Sequence, residues 1–365
     1  MGFDVRRSAL LALPFAALAA CSSLPSAPTQ PLPSGTPADE LIQPGEKHFA
    51  HLWKLTSYGE NAEGYFSFDG RQLSFQRRNP AEGVECDRIY LLGENQTYIP
   101  VSDGTGVTTC AYFLPGDEEV LYASTRASSS DCPPRPDYSR GYVWPILAGY
   151  DIWIRNLTTG ELRPFVNSDG YDAEATVSPL GDRIVFTSTR SGDLELWTCD
   201  LDGSNLVQVT DTLGYDGGGF FSHDGKRIVF RATAFDPDKL EEQQADYTAL
   251  LADGLVRPSH MELMVIDADG SNRRQITNLG GANFAPFFYP DDSRVIFSTN
   301  HHDPRGRDFD IYAVNVDGSD IERITTFDGF DSFPIFDPTG RYLVFASNRG
   351  GESEHTTNLF IAEWR

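Results

Sequence analysis

The sequence predicts an all-β fold, a closed β-propeller of six blades with four antiparallel strands each. Three observations lead to it. One motif recurs six times, and each copy consists of short apolar segments bounded by Gly and Asp. The last copy also lacks a final segment, which the chain supplies ahead of the first copy. A chain of 365 residues has room for one large repeat domain of this kind.

Each copy has the same order of segments. An apolar segment leads into a turn such as Asp224-Gly225, and the next strand reads, from copy one to copy six, QLSF, EVLY, RIVF, RIVF, RVIF and YLVF. After a connection comes a segment of the type DIYAV, a second turn of the type DGS, and a segment that ends in an apolar residue followed by Thr. Alternation at period two indicates strands, and Asp-Gly is typical of hairpin turns. Four strands in about 45 residues make a propeller blade.

The two ends of the repeat region predict how the propeller closes. The sixth copy stops after its third segment, NLFIAEW at 358–364. The segment HLWKLT at 51–56 matches the fourth-strand ending found at 206–210. We therefore expect 51–56 to complete the sixth blade, which removes the open sheet edges, and we assign the propeller to 49–365.

The N-terminus has the features of an export and anchoring signal. Arg6 and Arg7 precede a short apolar stretch that ends in Leu-Ala-Ala-Cys at Cys21, the pattern of a bacterial lipobox. We predict a lipoprotein signal peptide at 1–20, lipidation of Cys21, and a Pro-rich tether at 21–45. With Ser22 after the cysteine, we expect an exported protein anchored in the outer membrane by lipid alone and facing the periplasm. A plain secretory signal is the alternative.

The repeats also point to a family. FSHDGKRIVF at 221–230 and DADGSNRRQIT at 267–277 resemble the repeats of the TolB-type β-propeller family, and the resemblance covers 49–365. It implies an envelope-assembly or transport-accessory role. That family carries a further N-terminal domain, in whose place this sequence has the tether. Propellers of prolyl oligopeptidases are also similar, but the G-x-S-x-G nucleophile motif of their peptidase domain is absent from the sequence.

Two long insertions are predicted to share one face of the propeller. They occupy 127–149 and 232–260, between the second and third strands of blades two and four, and we call the side that carries these connections the mouth face. The first contains Tyr138, Tyr142 and Trp144, which either bind a ligand or pack the loop onto its blade. The second has a helical pattern around 238–251. Together they are expected to flank the channel mouth.

Alignment of the six innermost strands predicts a polar ring at the mouth. One aligned column contains Asn61, Thr108, Asp172, Asp216, Asn283 and Asp331. Glu63 and Glu174 lie two positions further on and share the same strand face by alternation. Arg126, Arg190 and Arg349 end the second strands nearby. The ring would bind a cation or basic side chains of a partner. Alternatively, the Asp and Asn side chains hydrogen-bond their own turns.

Cysteines and histidines yield two further predictions. Cys86, Cys110 and Cys132 lie toward the mouth face, so a disulfide is expected within this set, with Cys199 free and buried. His301 and His302 beside Asp303 are candidate metal ligands, although such loop residues are often merely solvated. We expect no cofactor, and leave open a divalent cation at the mouth.

The function classes follow from charge and motifs. A formal net charge of −24 excludes nucleic acid as a partner but suits a basic partner or a cation. No zinc-type spacing or Ser-His-Asp set is identifiable, so no catalytic residue is assigned. We favour a monomeric, non-enzymatic envelope lipoprotein that binds a protein or peptide at the mouth. One alternative is a hydrolase or lyase acting on carbohydrate or peptide through Asp172, Glu174, Asp216 and Arg190. Another is a small-molecule or metal sensor.

Overall fold

The structure of the chain, a computed structural model, describes residues 1–2, 34–134, 136–304, 306–351 and 356–365. Every described strand and helix belongs to one compact unit, Pro31–Arg365. The predicted signal peptide beyond Gly2 and the predicted lipidation site Cys21 lie outside the described residues. No helix in the described part of the chain is both long and apolar enough to span a bilayer.

The first strands of the chain belong to its last blade. They are β1 (Thr36–Pro37) and β2 (Phe49–Lys54), joined by a segment with a 3₁₀ helix at Asp39–Leu41. β1 pairs antiparallel with β2, so the end of the stretch predicted as a tether lies on the sheet. Further on, buried Glu46 accepts two hydrogen bonds from the guanidinium of Arg349, which ties this segment to the blade.

Blades one to three follow in chain order. Blade one comprises β3 (Glu60–Phe66), β4 (Leu73–Asn79), β5 (Val84–Leu92) and β6 (Tyr98–Pro100), with 3₁₀ helices at Pro80–Glu82 and Glu94–Gln96. Blade two comprises β7 (Thr108–Phe113), β8 (Glu119–Ser124), β10 (Asp151–Asn156) and β11 (Leu162–Val166), with a 3₁₀ helix at Tyr138–Arg140 and β9 (Trp144–Pro145) in its insertion. Blade three comprises β12 (Asp172–Val177), β13 (Arg183–Ser188), β14 (Glu195–Asp200) and β15 (Val207–Gln208).

Blades four to six complete the circle. Blade four comprises β16 (Asp216–Phe221), β17 (Arg227–Thr233), β19 (Met261–Asp267) and β20 (Arg274–Gln275); its insertion contains a 3₁₀ helix (Pro237–Lys239), α1 (Leu240–Ala252) and β18 (Leu255–Val256). Blade five comprises β21 (Asn283–Phe288), β22 (Arg294–Thr299), β23 (Asp310–Asn315) and β24 (Glu322–Arg323). Blade six comprises β25 (Asp331–Phe336), β26 (Tyr342–Ser347) and β27 (Asn358–Trp364), followed by β2 and β1.

The predicted fold and its closure are confirmed. β2 pairs with β27, so the segment predicted at 51–56 supplies the fourth strand of blade six. Middle strands are buried on both faces because each blade packs against its neighbours; all six residues of β26 are buried. This is why these strands read as continuous apolar runs such as YLVF rather than as a strict alternation.

The two insertions contact each other. β9 of the first pairs with β18 of the second, and the predicted helix is present as α1. Cys86 on β5 forms a disulfide with Cys132 in the first insertion, while Cys110 and Cys199 are free and Cys199 is buried. This confirms the predicted disulfide set and ties the first insertion to blade one.

Every innermost strand contains a bulge at the same place. The pairing between the first and second strands shifts register once in each blade, for example between Ala173 and Thr176 in blade three. One residue within each shift has a positive φ, as Glu174 does at 57°. A bulge re-aims the side chain of its extra residue. The fold therefore has six equivalent positions with altered side-chain direction, two residues beyond the aligned polar column.

Candidate functional site

A cavity of about 1400 Å³ occupies the channel and opens at the mouth face. Its walls come from the innermost strands and from both insertions, which contribute Tyr142, Trp144 and Pro258 among others. The predicted position of the insertions beside the mouth is thus confirmed. This volume exceeds the range of roughly 300–1000 Å³ that is usual for small-molecule pockets.

The polar column predicted to form the mouth ring does not line this cavity. All six members are buried and none belongs to its wall: Asn61, Thr108, Asp172, Asp216, Asn283 and Asp331. Asn283 illustrates the reason. Its Nδ2 donates to the backbone oxygen of Met261 at 2.7 Å and to the carboxylate of Glu262 at 3.2 Å. The column is thus part of the structural framework. Asn283 also bonds the backbone of its own turn, as in the alternative interpretation, whereas the three aspartates of the column pair with arginines of their own blades.

The same framework explains why the fourth-strand segments of blades three to six end in Thr. The Thr277 hydroxyl donates to Glu262 at 2.6 Å and accepts a hydrogen bond from the backbone N–H of Leu263 at 2.8 Å. The Thr325 hydroxyl likewise donates a hydrogen bond to Asp310 and accepts one from the backbone N–H of Ile311. These threonines fasten the fourth strand to the start of the third and hold the buried acids in place.

The three predicted arginines also form ion pairs with carboxylates of the same chain. Arg190 pairs with Asp172 at 2.8 Å, and Arg349 pairs with Asp331 at 2.6 Å. Arg126 pairs with Asp103 at 2.7 Å, outside the column. The prediction that these arginines belong to a ligand-binding ring at the mouth is therefore corrected, because each forms an ion pair with a carboxylate of this chain.

The residues that do line the channel are those at the six bulges. They are Glu63, Cys110, Glu174, Gly218, Ala285 and Phe333. Glu63 and Glu174 were predicted at the mouth, and the structure places both on the cavity wall. Blades one to three contribute two carboxyl groups and a thiol, whereas blades four to six contribute only a glycine and two apolar side chains. At the level of the bulges, the channel is thus polar in blades one to three and apolar in blades four to six.

Glu174 is held in a dense set of interactions. Its carboxylate pairs with the guanidinium of Arg231 and accepts hydrogen bonds from the hydroxyls of Tyr215 and Thr187, both at 2.7 Å. The backbone N–H of Gly218 donates to it at 3.0 Å. Burial opposes ionisation of Glu174, but the charge of Arg231 and these hydrogen bonds outweigh it and lower its pKa. Glu174 is therefore an anion with a fixed counter-charge.

Three consecutive glycines make room for this cluster. A Cβ on Gly218 would overlap the guanidinium of Arg231, and one on Gly217 would lie 2.7 Å from the carboxylate of Glu174. Gly218 also has a φ of +62°, which residues with a side chain rarely adopt. The run DGGGFF at 216–221 is thus a signal in the sequence, since glycine inside a strand often marks a close approach. Arg231 was not predicted as a site residue, because its sequence neighbourhood is that of an ordinary middle strand.

Glu63 lies on the same polar side in a different environment. Burial raises the pKa of Glu63 to about 7; a hydrogen bond from the thiol of Cys110 opposes this effect, whereas the negative charge of Glu174 adds to it. The Tyr65 hydroxyl is 3.4 Å from its carboxylate. Among the described residues, no Lys, Arg or His forms an ion pair with Glu63. On the same wall, burial raises the pKa of Asp87 to about 6.

The opposite wall is aromatic. Phe284 lies 5.3 Å from Phe309 and 5.7 Å from Phe333, measured between ring centroids, and Phe330 lies 5.8 Å from Phe309. Trp144 reaches from the first insertion to this wall, with its ring 6.0 Å from that of Phe284. At the rim, Tyr138 and Tyr142 stack at 6.4 Å and are 52% and 62% exposed.

The candidate metal ligands are separated. His301 bonds the backbone oxygen of Leu279 at 2.8 Å, away from His302. His302 instead lies 2.9 Å from Asp308 and 3.3 Å from Asp310, and the three groups are close enough to share an ion. Asp303 is not part of this group, which corrects the predicted set. Because the Arg323 guanidinium already pairs with Asp310, we assign no metal there.

Comparison with known proteins supports the resemblance that the repeats indicated. The family profile described as the TolB beta propeller domain matches residues 256–356. TolB from Acinetobacter baumannii aligns with a TM-score of 0.52 and 17% identity over 74% of this chain and 55% of that protein, so this chain spans about half its length. A gluconolactonase from Xanthomonas campestris, XC5397, aligns with a TM-score of 0.56 and 14% identity, over 94% of this chain and 99% of that one.

An oligogalacturonate lyase in complex with manganese also aligns, with a TM-score of 0.51 and 14% identity over 87% of this chain and 95% of the lyase. At these identities the structural alignments establish the fold alone. The profile match, the alignment with TolB and the six antiparallel blades agree with one another. The chain is a six-bladed β-propeller, and its residues 256–356 match the TolB beta propeller domain.

Proposed function

We propose that this protein is a non-enzymatic binding propeller that takes a segment of a protein partner into its channel at the mouth face. One observation carries the proposal: the cavity of about 1400 Å³ is open at the mouth, acidic on one side and aromatic on the other. A polypeptide segment offers both a polar backbone and apolar side chains, so it matches both walls. The resemblance to TolB agrees with a role in envelope assembly or transport.

The rim of the cavity has the composition of a binding surface. Tyr138 and Tyr142 are exposed and stacked on each other, and Trp144 lies just below them. Tyrosine and tryptophan are enriched where proteins bind proteins because they combine a large apolar area with a polar group. The disulfide of Cys132 holds the insertion that presents them. A rigid, aromatic rim lowers the entropy lost on binding.

Site-specific photo-crosslinking in the native cell tests the proposal. A photoreactive residue at Tyr142 should crosslink a polypeptide. The same residue at Leu206, 40% exposed in a turn on the face opposite the mouth, is the matched control. A band that forms from position 142 and not from 206 supports a partner at the mouth. Equal bands, or none from 142, would contradict it.

We further propose that the protein is exported and anchored to the outer membrane by lipid on Cys21. The Leu-Ala-Ala-Cys motif after a short apolar stretch supports this. Cys21→Ala should move the protein from the membrane fraction to the soluble periplasmic fraction. Retention of the variant in the membrane would refute the anchor.

A second candidate function is an enzyme acting on carbohydrate. One observation favours it: Glu63 and Glu174 share the cavity, yet burial raises the pKa of Glu63 while Arg231 helps lower that of Glu174. Two carboxyl groups with separated pKa values suit general acid–base catalysis. The lyase and the lactonase that share the fold suggest oligogalacturonate and gluconolactone as first substrates to assay. Turnover that Glu63→Gln abolishes would replace the binding proposal.

A further inference from the structure

The two channel glutamates differ in what the neighbouring blade supplies. In every blade, one residue of the second strand pairs with the residue just before the bulge: Gln76, Ala123, Thr187, Arg231, Ser298 and Ala346. Blade four places Arg231 there, and its guanidinium reaches Glu174 of blade three. Blade two, which follows Glu63, places Ala123 there. The chain thus provides a cation for one glutamate and a methyl group for the other.

The site around Arg231 shows how this cavity holds a cation. Besides Glu174, the guanidinium carbon lies 4.7 Å from the ring centroid of Tyr215 and 5.5 Å from that of Trp144. A carboxylate combined with aromatic faces is a favourable environment for a cation. The cavity surface near Glu63 has the same ingredients, because Tyr65 and Tyr150 line it together with the carboxyl groups of Glu63 and Asp87.

We infer that the cavity binds a protonated amine attached to an apolar body, with the carboxylate of Glu63 as the counter-ion of the ammonium group. The aromatic wall around Phe284 then contacts the apolar body. Such an amine is found on a free small molecule and on a lysine or N-terminus of a polypeptide. The polypeptide source rests on the proposed function, whereas the amine site does not.

The charges on this part of the molecule favour such a ligand. Glu174 is neutralised by Arg231, while Glu63 and Asp87 carry no fixed ion pair among the described residues. The protein as a whole has a net charge of −24, which attracts cations toward it. An ammonium ion beside Glu63 would favour the ionised carboxylate and so recover part of the free energy that its burial costs.

Amine binding should depend on pH. The groups that face Glu63 are the Cys110 thiol, the carboxyl groups of Glu174 and Asp87, the guanidinium of Arg231 and, on its own strand, the Tyr65 hydroxyl. Burial brings the pKa of Glu63 to about 7, whereas an alkyl amine stays protonated below about pH 9. Affinity for the amine should therefore increase as the pH rises from 6 to 8.

Isothermal titration with 2-phenylethylamine tests the inference, and 2-phenylethanol serves as the uncharged analogue. The wild-type protein should bind the amine at least about tenfold more tightly than the alcohol at pH 8. Glu63→Gln should remove that preference together with its pH dependence. Glu161→Gln, the same change at an exposed turn far from the cavity, should alter the affinity less than about twofold. Equal affinity for amine and alcohol, or no binding of the amine, would overturn the inference.

The source of the amine is distinguished with two capped dipeptides. If a lysine of a partner is the natural ligand, acetyl-Lys-Phe-amide should bind more tightly than acetyl-Gln-Phe-amide. Binding of 2-phenylethylamine but of neither dipeptide would indicate a free amine. The crosslink from position 142 separates this inference from the proposed function. A crosslink that persists without any amine preference would refute only the amine site. Amine binding without a crosslink would refute only the polypeptide partner.

Discussion

Glu174 and Glu63 occupy the same position in blades three and one, yet their chemistry differs. Both lie within an inner-strand bulge and have a positive φ, and both face the channel. Glu174 has Arg231, Tyr215 and Thr187 as partners and a lowered pKa, whereas Glu63 has no cationic partner in the described chain and a raised pKa. The repeat decides where a side chain stands. The residue on the next blade decides whether its charge is stabilised.

The comparison separates structural carboxylates from one that is free to act. Carboxylates of the polar column, such as Asp172 and Asp331, are each paired with an arginine within their own blade. Glu174 is paired across two blades. Glu63, like Asp87 on the same wall, forms no ion pair within the described chain, and a desolvated charge without a partner is costly unless function requires it. The following predictions test that contrast, from the largest expected effect to the smallest.

Removing Arg231 should convert the Glu174 site into one like that of Glu63. Arg231→Ala leaves a buried carboxylate unpaired, so the free energy of unfolding at pH 7 should fall by about 3 kcal/mol. The loss should shrink toward pH 4, where Glu174 becomes protonated and needs no counter-charge. Urea unfolding at both pH values measures this. In the double variant with Glu174→Gln the loss at pH 7 should be clearly smaller; an equal loss would show that the ion pair is not its cause.

Adding a methyl group at Gly218 should displace Arg231 without removing it. Gly218→Ala introduces both a clash with the guanidinium and strain from the φ of +62°, at a cost of about 2–3 kcal/mol. Gly280→Ala is the matched control, because Gly280 has a φ of +68° and nothing within 4 Å of its Cβ position. Thermal unfolding should show a larger loss at 218 than at 280. Similar losses would mean that strain alone matters there.

Replacing Glu63 should stabilise the protein in a pH-dependent way. The folded-state pKa of about 7 lies above the usual 4.5, so folding favours the protonated form, and stability is lost as the pH rises from about 4.5 to about 7. Glu63→Gln removes this loss and should raise the free energy of unfolding at pH 8 by about 1–2 kcal/mol, with no gain at pH 4.5. Urea unfolding across this range measures it. A gain that does not vary with pH would contradict the assignment.

Giving blade two the residues of blade four should provide Glu63 with a counter-charge from the protein itself. Ala123→Arg combined with Cys110→Gly copies Arg231 and Gly218. We expect a change in stability at pH 7 of less than about 1 kcal/mol, because a buried ion pair gains little beyond its desolvation cost. The pH dependence between 4.5 and 7 and the binding of 2-phenylethylamine should both disappear. Ala123→Met with Cys110→Gly is the control of similar size without charge, and it should retain the pH dependence.

The architecture was predictable because its signals are local and repeated. The Asp-Gly turns, the RIVF-type strands and the missing fourth strand of copy six indicate the blades and their closure, as β2 on β27 confirms. The disulfide set was predictable for the same reason, since assignment to the mouth face brought Cys86 and Cys132 near each other. The attachment of Thr36–Pro37 to the last blade was not predicted, because its prolines read as a tether.

The channel ring was predicted at the wrong position. Regular alternation was assumed along the inner strands, but a bulge interrupts each of them, so Cys110, Gly218, Ala285 and Phe333 reach the channel while the aligned polar column does not. The column was identified correctly as a repeated feature, but its role is structural, and its aspartates pair with arginines rather than with their own turns. Repetition in a sequence marks what every blade needs, and that is more often a framework bond than a ligand contact.

By itself, the sequence determined the number of blades, the closing strand, the strong negative charge and the face that carries both insertions. These properties depend on local turn chemistry, apolar periodicity and composition, all of which can be read along the chain. Only the tertiary structure decided which side chains meet in the channel. Arg231 and Glu174 lie 57 residues apart and belong to different blades. Whether a buried carboxylate has a counter-charge is a property of the neighbouring blade, and no pattern within one repeat contains it.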